Sequence, residues 1–268
     1  MDLQLHNQHV LVTGGSRGIG LACARQFLAE GARVTLVART PASLASAQTE
    51  LDGLADGPSR VRTLVSDLQD PNAAAHMVAQ AQSTDTGWGP VDVLVNCAGA
   101  AQRTPPDELT PAAWHAAMLA KFFSYIHVTD PLIKQMGQRG RGVVVNVVGM
   151  GGKVASPIHL PGGSANAALM LASAGLAAAY APMGVRVNVV NPALTQTERL
   201  TEGLAAEARL LNTSPAEVLA RTVAKYPMGR IAQPAEIANA VVFLASPRAS
   251  YINGVALSMD GATTPLVA

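Results

Sequence analysis

Eight residues near the N-terminus constrain this chain more than any others: Thr13-Gly14-Gly15-Ser16-Arg17-Gly18-Ile19-Gly20. A short apolar run, His9-Val10-Leu11-Val12, precedes them. A helical pattern, Leu21-Ala22-Cys23-Ala24-Arg25-Gln26-Phe27-Leu28, follows. The order is strand, glycine turn, helix. Glycines at 14, 18 and 20 let the backbone turn sharply and let an anion approach closely. The new helix aims free N–H groups and the positive end of its dipole at that anion. A plain surface turn would explain glycines alone, but the strand-to-helix setting is what a dinucleotide diphosphate requires. Gly14, Ser16, Arg17, Gly18, Ile19 and Gly20 are expected to hold a cofactor.

Strand and helix patterns alternate along the rest of the chain. Strands are expected at 9–13, 33–38, 60–65, 91–96, 142–148, 185–190 and 255–259. Helices are expected at 18–30, 41–55, 71–84, 110–137, 163–181 and 234–246. The run Val143-Val144-Val145-Asn146-Val147-Val148 is apolar on both faces, as a parallel strand covered by helices should be. Alternation of this kind implies an α/β fold: a three-layer, doubly wound parallel sheet of the Rossmann type, with about seven strands and right-handed crossovers. At 268 residues the chain fits one domain spanning 1–268. The segment 197–227 is helical in pattern but stands outside the alternation.

Composition narrows the partners. A net charge of +1 gives no electrostatic case for nucleic acid or an anionic membrane. Cys23 and Cys97 lie far apart in sequence and show no metal-ligand spacing, so free thiols in a reducing cytoplasm are expected, and no metal. The start, Met1-Asp2-Leu3-Gln4-Leu5, shows no signal-peptide pattern, and no apolar run is read as long enough to span a bilayer.

The spacing Gly-x-x-x-Gly-x-Gly resembles the short-chain dehydrogenase/reductase family, and 3-oxoacyl-ACP-reductase-like members in particular. The resemblance covers about residues 5 to 262. It implies a nicotinamide cofactor, with 197–227 as a mobile lid over a small-molecule substrate. After the second strand the chain reads Val37-Ala38-Arg39-Thr40. A carboxylate here would take the 2′-hydroxyl of NAD. Arg39 with Arg17 instead suits a 2′-phosphate, so NADP(H) is preferred over NAD(H); two solvated arginines are the blander alternative. The resemblance puts Asp67 and Leu68 at the adenine. It matches Asn96-Cys97-Ala98-Gly99 to the turn after strand four, so Asn96, Ala98 and Gly99 border the cofactor. Asn191-Pro192-Ala193-Leu194-Thr195-Gln196-Thr197 matches the segment that holds the nicotinamide amide, implicating Pro192, Leu194, Thr195 and Thr197. Matches at Met228-Gly229-Arg230, Pro234–Ala238, Tyr251–Gly254 and Asp260-Gly261 complete a C-terminal segment that usually builds a homotetramer, so a homo-oligomer, tetramer or dimer, is expected.

At the catalytic centre the resemblance stops. Family members use an asparagine, a serine, a tyrosine and a lysine, the last two as Tyr-x-x-x-Lys. Here Gly162 stands for the tyrosine, Asn166 for the lysine, Gly149 for the serine and Lys121 for the asparagine. A positioned acid or base contributes about 10²–10⁴ in rate, and a carbonyl-orienting donor about 10²–10³. Three replacements are open. Lys121 and Asn166 look exchanged, which returns a cation from the opposite helix; Lys121 stretching to solvent is the alternative. Tyr125, one helical turn after Lys121, offers a hydroxyl whose pKa the lysine would lower, or else it simply packs. His159 precedes the vacated tyrosine position and can carry a proton near neutral pH, or else faces solvent. His6, His9, His76, His115 and His127 are read as structural.

Gly149, Gly151, Gly152, Gly162 and Gly163 remove side chains around this centre, which suggests open space and exposed N–H groups. Helix entry comes at Pro161–Gly163, or later with Ser164 as N-cap. With Lys121, Lys153 and His159 nearby, an anionic substrate group is expected at that helix start. Three functions follow: an oxidoreductase acting on a carbonyl or alcohol through relocated residues; an inactive NADP(H)-binding pseudoenzyme or sensor, in a hetero-oligomer with an active homologue; or a non-redox lyase, hydratase or isomerase.

Overall fold

A computed structural model describes the chain except for residues 55–58, 84–86, 100–101, 199, 202–203, 206–207, 209–210 and 266–268. Its strands are β1 (His9–Thr13), β2 (Arg33–Ala38), β3 (Val61–Val65), β4 (Val93–Asn96), β5 (Gly142–Val147), β6 (Val185–Pro192) and β7 (Ala256–Met259). They form one parallel sheet in the order β3-β2-β1-β4-β5-β6-β7. The order reverses between β1 and β4, which opens a crevice at the carboxyl ends of those strands.

The helices are α1 (Gly18–Ala29), α2 (Pro41–Asp52), α3 (Pro71–Gln82), α4 (Pro111–Ala117), α5 (Ser124–Gln138), α6 (Leu160–Tyr180), α7 (Pro215–Val223) and α8 (Pro234–Ala245). Five of them open on a proline, whose fixed φ suits the first helical position and whose missing N–H is not needed there. The expected ends at 55 and 84 fall outside the described residues. One core packs α1, α2 and α8 on the sheet through Phe27, Leu44, Val241 and the strand residues Val12, Leu36 and Val95. The opposite core packs α3 and α5 through Met77, Leu132 and Met136 on Leu11, Leu94 and Val144.

The single helix expected at 110–137 is interrupted. Met118–Phe123 forms a π-helical turn between α4 and α5. Two contacts account for it. The Ala120 carbonyl is pressed against Gly99, where any side chain would overlap it. Ser124 Oγ donates to both Ala120 O (2.9 Å) and Lys121 O (3.1 Å), taking up carbonyls that the wider turn exposes.

Helix α6 begins at Leu160 with His159 as its N-cap residue, so Ser164 is not the cap. With its flanking turns (Pro157–Met183) it is, among the described residues, the one helix long and apolar enough by composition to cross a membrane. This corrects the reading of no such run. The stripe Ala165, Leu169, Ser173 and Ala177 is buried, as in a layer helix of this fold.

Buried polar groups tie the central strands together. Thr13 Oγ1 donates to Asn96 Oδ1 (3.3 Å). Asn96 Nδ2 donates to Thr129 Oγ1 (3.0 Å) and Asn146 Oδ1 (2.8 Å). Asn146 Nδ2 reaches Ser173 Oγ (2.9 Å). At the other end of the sheet, His9 is fully buried. Its Nδ1 lies 2.9 Å from Gly89 O and its Nε2 2.9 Å from Thr35 Oγ1. A carbonyl only accepts, so Nδ1 carries the proton and Nε2 accepts from the threonine. Burial holds the His9 pKa below its ordinary value, so the ring is neutral.

Candidate active site

A cavity of about 690 Å³ lies at the carboxyl ends of β1 to β4. The glycine turn forms its floor. Gly14 (φ +65°) and Gly18 (φ +57°) adopt left-handed conformations, and a side chain on Gly20 would overlap the Gly14 carbonyl. The N-cap residue of α1, Arg17, gives no side-chain cap, so the first N–H groups of the helix are left to face the cavity. Thr13 Oγ1 accepts from the N–H groups of Cys97 (3.2 Å) and Ala98 (3.3 Å), which holds the neighbouring turn in place. This bare helix start, in a turn that only glycine can form, fits a nucleotide diphosphate.

Of the expected cofactor residues, Gly14, Ser16, Arg17, Gly18, Ile19, Gly20, Arg39, Asp67, Leu68, Ala98, Gly99 and Thr197 line this cavity. Arg17 and Arg39 are both exposed at its rim, joined by Thr40 and Ser43, which the sequence reading did not single out. Asn96 instead lies wholly inside the polar network beneath the cavity. Strand alternation explains this: Leu94 and Asn96 point to the α5 side. Pro192, Leu194 and Thr195 sit beyond the cavity lining at the end of β6. Thr195 pairs with Ala232, and its hydroxyl donates to Ala193 O at 3.3 Å. A second cavity, of about 570 Å³, lies at the opposite ends of β4 to β6, away from the glycine turn and the helix starts.

The end of β5 gathers the remaining candidates. Lys121 is buried. Its Nζ donates to Tyr125 Oη (2.7 Å) and Val147 O (3.1 Å), and lies 4.5 Å from the centre of the Tyr125 ring. Solvent is therefore not its destination. The Tyr125 hydroxyl donates to the same Val147 carbonyl at 2.7 Å and is completely buried. Burial raises its pKa well above the ordinary value. The expectation that lysine would lower this pKa is corrected: burial first, and Cys97 second, both raise it. Asn166 is buried on α6, its Nδ2 within van der Waals range of side-chain positions at Gly149 (3.5 Å) and Gly151 (3.6 Å). His159 is half-buried, its ring against Gly151.

The glycines of this region do not leave open space. A methyl group on Gly152 would lie 2.7 Å from Ala167 N, and one on Gly163 2.7 Å from Gly151 O. These glycines let the loop after β5 press against the first turns of α6. Gly149 is the exception: it has room, but at φ +126° it holds a conformation that side chains avoid. Its N–H donates to the buried Asn191 Oδ1 at 3.2 Å, a contact the sequence reading missed. Lys153 is corrected too. Its Nζ is committed to β7, at Ala256 O (2.9 Å) and Ser258 Oγ (3.1 Å). Within the segment 197–227 expected to form a lid, residues 199, 202–203, 206–207 and 209–210 fall outside the described residues. No metal-holding cluster occurs among the described residues.

Comparison with known proteins decides the family. A family model described as "Enoyl-(Acyl carrier protein) reductase" matches residues 14–264. The chain is 33% identical to gluconate 5-dehydrogenase of Gluconobacter oxydans over 97% of its own length and 96% of the relative's. The chain belongs to the short-chain dehydrogenase/reductase family. Within it, galactitol 2-dehydrogenase of Cereibacter sphaeroides is 33% identical, over 94% of this chain and 93% of the relative. L-sorbose reductase of Gluconobacter frateurii, solved in complex with NADPH and L-sorbose, superposes with a TM-score of 0.90 at 28% identity, covering 97% of this chain and 98% of that one. The alignments with these dehydrogenases and this reductase thus span 94–97% of the present chain.

Proposed function

We propose that the chain is an NADP(H)-dependent oxidoreductase that interconverts a carbonyl and an alcohol on a small polar substrate, through residues other than the family's usual four. The observation that carries this reading is the cavity: a helix start without a side-chain cap, with Arg17 and Arg39 at its rim. The two guanidiniums would hold a 2′-phosphate, with Thr40 and Ser43 as hydroxyl donors beside them. Bound NADPH supplies a hydride. Thr197, whose methyl lies 3.4 Å from a side-chain position at Gly18, closes the diphosphate side. The residues 197–227 act as a lid within a single cofactor-binding unit; the Leu194 N–H donates to Tyr226 Oη at 3.4 Å. The NADPH complex of L-sorbose reductase and the polyol and sugar-acid dehydrogenases among the relatives support the cofactor and the substrate class.

For the proton, His159 is the donor this geometry favours, because its half-buried ring lies beside the Gly149–Gly152 loop. The amide of Asn166, buried beside Gly149 and Gly151, would orient the substrate oxygen. Lys121 supplies positive charge at the end of β5, and Tyr125, sealed in the core, fixes the direction of Lys121 rather than donating to substrate. NADPH oxidation should be followed across ketoses and keto-acids. Lys121→Met and His159→Gln should each lower kcat by about 10²–10⁴ while leaving NADP⁺ affinity within threefold. Full turnover in both variants would remove these residues from the chemistry.

A second reading has one observation behind it. The tyrosine nearest the centre has its hydroxyl buried and bonded to Val147 O, which suits a pseudoenzyme that binds NADP(H) within a cytoplasmic oligomer of like or related chains. Tight NADP⁺ binding with no turnover across the panel would select it.

A further inference from the structure

Cys23 and Cys97 are far apart in sequence but adjacent in the fold. Along β4 and its continuation, Val93 and Val95 face the core of α1 and α8, and Cys97 continues that alternation and packs against the same core. Cys23 lies on the inner face of α1, fully buried in the core against which Cys97 packs, and the two thiols interact. Both are free thiols. Cys97 also lines the cofactor cavity. The turn that carries it touches the glycine floor: a side chain on Gly14 would lie 3.0 Å from the Cys97 carbonyl carbon and 2.9 Å from Ala98 N.

We propose that this pair is a thiol switch, in which oxidation by a peroxide links Cys23 to Cys97 and closes the cofactor cavity. The proposal rests on that cavity being the nucleotide site. Peroxide enters from the cavity, which exposes Cys97 and not Cys23. The Cys97 sulfur attacks the peroxide, the O–O bond breaks, and Cys97 becomes a sulfenic acid as water or an alcohol leaves. The Cys23 sulfur then attacks the Cys97 sulfur, an S–S bond forms and the S–O bond breaks. The hydroxyl departs as water with the proton of Cys23. With hydrogen peroxide the sum is two thiols and one peroxide giving one disulfide and two waters. Interaction of the protonated Cys23 thiol with the Cys97 sulfur, with burial second, holds the Cys23 thiol well above its ordinary pKa, so Cys23 is the resolving partner and not the first target. Drawing Cys97 toward α1 shifts the 97–98 turn against Gly14, where there is no spare room. A bound nucleotide, filling the cavity, shields Cys97.

The test treats the full chain with hydrogen peroxide, with and without saturating NADP⁺, and reads intact mass, linked peptides and NADP⁺ affinity before and after dithiothreitol. A mass loss of about 2 Da, with peptides 23 and 97 joined, is expected from this chemistry. NADP⁺ affinity should fall at least tenfold, and both changes should reverse with thiol and be slowed by NADP⁺. Cys23→Ala keeps basal NADP⁺ affinity but should lose the mass change and the reversible fall in affinity. Irreversible oxygen addition at Cys97 alone, a disulfide that leaves affinity unchanged, or a reversible fall that persists in Cys23→Ala overturns the switch. If the reduced protein binds no NADP⁺, the gating claim is overturned with the assigned site, whereas the disulfide is still scored independently by mass.

Discussion

Two glycine-rich turns follow two central strands of one sheet, and the cavity at the carboxyl ends of β1 to β4 is lined by the first and not by the second. After β1, Gly14 and Gly18 take left-handed conformations and leave a cavity above them. After β5, Gly151, Gly152 and Gly163 let a loop and a helix touch backbone to backbone, and so consume the space they create. Glycine permits close backbone contact at both turns, but the first turn also borders the cavity. The first turn lines the cavity, whereas the second packs against His159 and Asn166.

The strongest way to break this contrast is to add one methyl group to each turn. Gly20→Ala meets the Gly14 carbonyl with no flexible atom to yield, so the floor of the cavity must deform. Overpacking costs roughly 1–3 kcal/mol or more, and NADP⁺ affinity should fall at least 100-fold. Gly152→Ala meets Ala167 N and the end of the Met170 side chain. It should cost a similar roughly 1–3 kcal/mol of stability, read by urea unfolding, with NADP⁺ affinity nearly unchanged. Equal loss of nucleotide affinity in both would erase the distinction.

Next in size is the charge at the first turn. Charge-assisted hydrogen bonds contribute about 1.5–3 kcal/mol, so Arg39→Ala, and to a similar degree Arg17→Ala, should weaken NADPH about 10–100-fold by fluorescence titration. NADH binding should stay level. If NADH weakens in parallel, the arginines serve the diphosphate or the fold rather than a 2′-phosphate.

The seven-stranded parallel sheet, most helix starts and most residues of the cavity wall were legible because they rest on local signals: alternation, proline at the first helical position, and glycine between strand and helix. Boundaries missed by only one or two residues at most ends. What stayed hidden depends on neighbours distant in sequence. The π-helical turn follows from Gly99 pressing on Ala120, which no helical periodicity records. The second turn was misread as open because a glycine's spelling is the same whether it leaves a gap or permits contact. Lys153 looked like part of an anion site, yet β7, over a hundred residues later, claims its ammonium. Asn96 and Asn146 look like cofactor and strand residues, and only the fold shows them bonded to each other.

Acidity separates stability from turnover, because the neutral buried histidine and the one beside the second turn lie at opposite ends of the sheet. The folded state holds the His9 pKa below 6.5, so the unfolded chain takes up a proton that the native chain refuses. This contribution is complete above pH 6.5 and is lost as the pH falls below it, with a slope of at most about 1.4 kcal/mol per pH unit. Urea unfolding between pH 5 and 7 should show the decline, and His9→Gln should flatten it. A turnover profile that still titrates in His9→Gln then belongs to the site. An unchanged stability slope in that variant would assign the proton uptake to another group.

A third kind of glycine provides the mildest test. Gly175 sits in the middle of α6, exposed, at ordinary φ, with nothing within 4 Å of where a side chain would start. It opens nothing and closes nothing in the chain as described. Alanine there removes backbone freedom from the unfolded state and favours the helix, by about 0.5–1 kcal/mol. For a domain of this size the melting temperature should rise by roughly 1–4 °C, with NADP⁺ affinity and turnover unchanged. Leu171, one turn earlier, is 78% exposed, a large apolar group facing the same way. If a second copy covers this face, the added methyl lands in the interface, and Gly175→Ala should instead lower stability or shift the mass seen by light scattering. A gain in stability with unchanged mass places Gly175 on free surface, whereas a loss makes it a contact glycine like those after β5, acting between chains.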